Sequence, residues 1–244
     1  MKKIRLLAIV GLLVVTACSD DNDVNPVVEE IEIESDFHIL ETTASVNEYN
    51  QLLMSIRTEG QAGATLPTPA GQMDGAPVMG YVFPTTLSAE DVGFGDVEGI
   101  VAMALTSHPD FDDTPLWDEN NDQLYDNDGI IWHAHWVVLV NDDRVDGGLS
   151  VRELDLEDET LIVPPTHPGM PIYLDSPGFN VITKNDYIKV VIPVNRINNQ
   201  RSFNFDGVTA FLRVNLSDVS LPTLGVYEVY DVASDDLSLP YQVN

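Results

Sequence analysis

The sequence predicts an all-β fold, an antiparallel sandwich or jelly roll with at most one or two short helices, and three observations carry that prediction. From about residue 29 onward, short blocks of β-branched and aromatic residues either alternate with period two or run as brief apolar stretches. Turn chemistry stands between them: Asp74-Gly75, Asp128-Gly129, Asp146-Gly147-Gly148 and Asp206-Gly207. Only residues 45–57 carry helical spacing, with Val46, Tyr49, Leu52, Leu53 and Ile56 on one side. At 244 residues and 44% apolar content, the chain can bury a substantial core, which excludes disordered and fibrous classes.

Taken in order, residues 1–17 read as an export signal. Lys2, Lys3 and Arg5 precede an apolar stretch at 6–15 that is too short to span a bilayer. The stretch closes with Val15-Thr16-Ala17-Cys18, which resembles the lipobox of bacterial lipoproteins. That resemblance covers residues 15–18 and implies lipidation of Cys18, the single cysteine, and residence in the bacterial cell envelope as an outer-membrane lipoprotein, periplasmic or surface-facing. The membrane is then a partner through the Cys18 anchor. Residues 18–28 are polar, charged and proline-broken, as a flexible tether requires. Loss of the three signal cations leaves eight basic residues against 40 acidic ones, a mature charge of about -32. A surface of that sign repels phosphate backbones, so nucleic acid is excluded as a partner.

Residues 29–244 form one β-sandwich domain in this reading. Strands are expected at 30–33, 37–41, 78–83, 99–106, 130–140, 149–154, 160–163, 187–194, 208–215 and 226–231, with a helix at 45–57. Residues 60–77, rich in Gly, Ala and Pro, read as a long surface loop, and an acidic loop is expected at about 107–129.

The sharpest chemical signal is Trp132-His133-Ala134-His135-Trp136. On a strand, His133 and His135 share one face while Trp132, Ala134 and Trp136 share the other. Neutral imidazole is the commonest protein ligand for zinc and copper, and two on a rigid strand supply half a site. His108, in Ser107-His108-Pro109-Asp110 directly after a predicted strand, offers a third imidazole, and Asp110 a carboxylate. His167 and Met170, in His167-Pro168-Gly169-Met170, would instead favour copper through the soft thioether. His-x-His on a strand also resembles the cupin family, whose jelly roll carries a similar pair. That resemblance implies a metal-dependent reaction on a small substrate as an alternative function. In this chain Gly129 stands four residues before His133 and the next acid is Asp142, both departures from the cupin pattern.

A second constellation lies in the acidic loop. Asp118, Asn120, Asp122 and Asp126 fall at the first, third, fifth and ninth positions of a stretch similar to the start of an EF-hand, with Asp128 close behind. Gln123 occupies the glycine position and Gly129 the glutamate position of that motif, so a looser calcium loop is the expectation. A calcium-stabilised module for glycan binding or adhesion is the third functional class, with Trp117, Trp132 and Trp136 as its aromatic surface if they are exposed. No Walker, G-x-S-x-G or H-E-x-x-H sequence is present, and the glycines at 93, 95 and 99 lack dinucleotide spacing. The leading expectation is therefore an exported, lipid-anchored metal-binding protein with a His-rich copper or zinc site and a calcium loop; no catalytic residue is assigned.

Overall fold

The computed structural model describes residues 34–68, 70–109 and 131–244. Their architecture is antiparallel β throughout, as expected, and it combines a closed barrel with a second sheet packed on its outside. The strands are β1 (Ile39–Val46), β2 (Gln51–Thr58), β3 (Pro77–Pro84), β4 (Ile100–Ser107), β5 (His133–Asn141), β6 (Leu149–Val151), β7 (Leu174–Asp175), β8 (Asn180–Lys184), β9 (Tyr187–Pro193), β10 (Asn204–Phe205), β11 (Val208–Val214), β12 (Leu224–Val232) and β13 (Tyr241–Gln242). One sheet runs β1-β2-β9-β8. A second runs β4-β3-β11-β12-β6-β5, and β5 pairs back onto β4, which closes the barrel; β7 adds a short rung to β5, and β10 and β13 form a separate two-stranded sheet. Closure removes the exposed edges that an open sheet of this size would present.

Period two partitions the barrel strands between two apolar compartments. Inward positions Val78, Val82, Ala104, Val137, Leu139, Ala210 and Leu212 pack on one another inside the barrel. The alternate residues Tyr81, Phe83, Met103, Leu105, Trp136 and Val138 point outward and meet Leu52, Met54, Ile56, Ile188, Val190 and Ile192 of the four-stranded sheet. The barrel's inward side chains are small where its strands face each other: Val82 pairs with Ala104, and Gly80 pairs with Ala210. The interior therefore retains an apolar cavity of about 160 Å³.

Three expectations are corrected. The helix at 45–57 does not form: it is the end of β1, a tight turn and β2. The Asn47 side chain accepts from the backbone N–H groups of Tyr49 and Gln51, and Asn50 takes a left-handed conformation at φ 59°, which turns the chain back on itself. Once β2 is extended, Leu52, Met54 and Ile56 fall on one buried face, so the apparent helical stripe was two overlapping patterns. Residues 160–163 are irregular, and Ile162 is exposed. Residues 35–37 form a 3-10 turn, with β1 starting at Ile39. The expected strand at 30–33, the signal peptide and the Cys18 tether lie outside the described residues.

The turn between β5 and β6 is fastened by one carboxylate. Asp142 accepts from Arg144 Nε at 2.8 Å, Arg144 Nη2 at 2.7 Å and Ser150 Oγ at 2.7 Å, and from the Arg144 backbone. These bonds, led by the guanidinium, hold the Asp142 carboxyl well below the ordinary carboxylate range. A depressed native value means that the ionised form stabilises the fold above the unfolded value and that this contribution fades as acid protonates the group. Asp142→Asn should therefore lower stability at neutral pH, and its deficit against the natural chain should shrink progressively below about pH 4. Urea unfolding of both chains across pH checks this; a deficit that stays constant down to pH 2 contradicts it.

Candidate metal centre

Strand β5 begins at a fixed point. Trp132 is nearly buried, its indole Nε1 donates to the Gly63 carbonyl at 3.0 Å, and its ring stands edge-on to Tyr81 at 4.9 Å. Tyr81 Oη accepts from Gly63 N–H at 2.9 Å and donates to the Asp36 carbonyl at 2.8 Å. Burial raises the Tyr81 phenol above its ordinary value, so it remains a donor at any physiological pH. With Trp132, Ala134 and Trp136 committed to the outer core, alternation sends His133 and His135 inward.

Barrel closure supplies the third imidazole. Thr106 pairs with His133 and Ala104 with His135, so β4 ends beside the start of β5, and His108 follows directly. His108, His133 and His135 are buried at 2%, 4% and 1% exposure, and one nitrogen from each lies within 4.8 Å of the other two. His108 Nε2 and His133 Nε2 are 3.0 Å apart. Two nitrogens bound to one ion at ~2.1 Å stand roughly 3.0–3.4 Å apart, so this pair already has a ligand spacing. The His133 ring is nearly perpendicular to both others, at 87° to His108 and 85° to His135.

Hydrogen bonding orients two of the rings. His133 Nδ1 contacts the Ile131 carbonyl, which can only accept, so Nδ1 carries the proton and the neutral ring presents a lone pair at Nε2. His135 Nδ1 meets Ser176 Oγ at 3.1 Å, leaving Nε2 as the nitrogen this ring would offer an ion. Ser176 follows β7, whose Leu174 and Asp175 pair with Val137 and Trp136. The neighbouring Asp175 accepts from Thr166 Oγ1 at 2.6 Å, and Ser176 N–H bonds the Thr166 carbonyl at 3.1 Å. Burial pushes the Asp175 carboxyl up from its ordinary range, opposed by the Thr166 hydroxyl. An imidazole whose second nitrogen is held by a carbonyl or hydroxyl is the usual form of a metal ligand, so the residues present fit a transition-metal ion.

The structure thus brings together His133, His135 and His108 of the expected ligands. His167 lies outside the cluster: its Nε2 donates to the Ile172 carbonyl at 3.2 Å and its Nδ1 accepts from Gly169 N–H at 3.0 Å. Met170 lines the barrel cavity. Asp110 and the expected calcium ligands Asp118, Asn120, Asp122, Asp126 and Asp128 lie outside the described residues. Trp132 and Trp136 face the core rather than solvent, so they form no glycan-binding row. Sequence reasoning missed Ser176, which stands 41 residues from His135 and reaches it only through the β5–β7 rung. It also missed the cavity, although Gly80, Ala104 and Ala210 on inward positions were a readable signal.

No family model matches the chain, and neither a curated protein nor a solved structure is found to resemble it.

Because Ser176 orients the His135 ring without itself being a ligand, Ser176→Ala should weaken zinc binding by about 10- to 100-fold with little loss of fold. Competition titration against a chromophoric chelator reads the affinity; an unchanged value removes Ser176 from the site.

Proposed function

We propose that the protein is a transition-metal-binding lipoprotein of the bacterial cell envelope, in which His108, His133 and His135 hold one ion. The observation that carries this reading is the convergence of three buried imidazole nitrogens within 4.8 Å, two of the rings being oriented through their Nδ1 atoms. Three neutral nitrogen donors favour zinc or copper(II) over the hard cations magnesium and calcium. When bound, the ion would supply Lewis acidity, and the chain's own residues would fix its position and keep the surrounding space apolar.

A second reading has its own support. Three protein ligands leave coordination positions to be filled from elsewhere, the composition of catalytic rather than closed structural zinc sites. The barrel cavity borders His108 and His135, so a metal-dependent reaction on a small molecule is the alternative.

Protein purified without chelator should carry about one zinc or copper ion per chain by elemental analysis, and the His133→Ala/His135→Ala double variant none, since it removes two of the three donors. Ligand imidazoles must be deprotonated, so affinity should weaken as pH falls through the ordinary imidazole range near ~6.5. A natural chain that holds no transition metal, or a double variant that holds it equally well, rejects the site.

The anchor is tested separately. Cys18→Ser should move the protein from the detergent-requiring membrane fraction to the soluble fraction while leaving metal binding intact. Retention in the membrane would reject lipidation at Cys18.

A further inference from the structure

The barrel cavity suits an amphiphile. It measures about 160 Å³, and its lining is hydrocarbon along nearly its whole length, through Val78, Val82, Val137, Leu139, Leu212 and their neighbours. Among the described residues, the lining side chains that carry nitrogen or oxygen are Thr106, His108 and His135. All three belong to the same end, where β4 finishes and β5 begins. One end of the space is thus polar and metal-facing, and the remainder is oily.

Charge decides what the polar end would hold. The three neutral imidazoles that the described residues bring together leave the charge of a divalent ion uncompensated, and a low-dielectric surrounding makes an anionic oxygen ligand strongly favourable there. Three donors are also fewer than the four or more positions that zinc or copper fills. Hydroxide would answer the charge but leave the hydrocarbon space empty, whereas an apolar cavity of about 150 Å³ takes up a benzene-sized guest.

We propose that the barrel binds a small hydrocarbon carboxylate, its head group on the ion held by His108, His133 and His135 and its body in the apolar cavity. This rests on the three-histidine metal reading, and the test separates the two.

The zinc-loaded full chain is titrated calorimetrically with acetate, hexanoate and hexanol. Each methylene transferred into the cavity should strengthen binding roughly fourfold, so hexanoate, with four more methylenes, should bind about 250-fold more tightly than acetate. Hexanoate affinity should fall at least tenfold in the zinc-free His133→Ala/His135→Ala variant, while hexanol, which lacks the anionic head, should bind both chains alike. Ala210→Leu, which fills the cavity without touching a ligand, should retain zinc and lose hexanoate; if that variant misfolds, the acetate-to-hexanoate ratio on the natural chain decides. Equal binding of acetate and hexanoate to zinc-loaded protein overturns this inference and leaves the metal reading standing. Hexanoate affinity indifferent to zinc overturns the head-group contact. A natural chain that retains no zinc overturns both.

Discussion

The structure depends on a strand that is buried on both faces. β5 lies between two apolar compartments, with Ala134, Trp136 and Val138 packed in one and Val137 and Leu139 in the other. A strand so placed cannot slip by one residue without exchanging Trp136 for His135 across the sheet, so its register is strongly specified. The same rule that secures the outer core therefore aims His133 and His135 into the barrel. The β4–β5 pairing then carries His108, one residue past the end of β4, to them.

Energetics sharpen the point. Burying imidazoles without partners costs on the order of 1–3 kcal/mol each, and in this chain the Ile131 carbonyl, accepting from His133, and the Ser176 hydroxyl, bonded to His135, orient two of them. The cavity is a further cost. At ~24 cal/mol per Å³, an empty space of 160 Å³ forgoes on the order of 4 kcal/mol, a large part of the 5–15 kcal/mol by which domains are usually stable. Larger side chains at Ala104 and Ala210 would fill that space. Interiors are normally close-packed, so volume retained beside three buried imidazoles is a departure from the usual packing.

Much of this was legible in the chain. Alternation and Asp-Gly turns gave the all-β class, and His-x-His between tryptophans gave two ligands on one face, because both are local consequences of period two. His108 was legible as a loop histidine following a strand. The failure at 45–57 has a physical cause: a β-hairpin whose turn is set by Asn47 overlays two alternating patterns, and over thirteen residues their sum imitates a 3.6-residue stripe. Ser176 and the closure of β5 on β4 depend on pairings between distant segments. No local pattern encodes these.

The depth of the three imidazoles has a kinetic consequence. With each ring under 5% exposed, solvent has little direct access to the bonds an ion would make to these imidazoles. Opening of the ends of β4 and β5, a local unfolding event opposed by the packing of Trp132 against Tyr81 and by the ladder from Thr106–His133 upward, would hasten the ion's departure. Residence time and thermodynamic affinity are then separate properties. A substitution in the Trp132 anchor, whose side chain lies on the opposite face of the strand from His133 and His135, would change how quickly a bound metal leaves more than how tightly it is held.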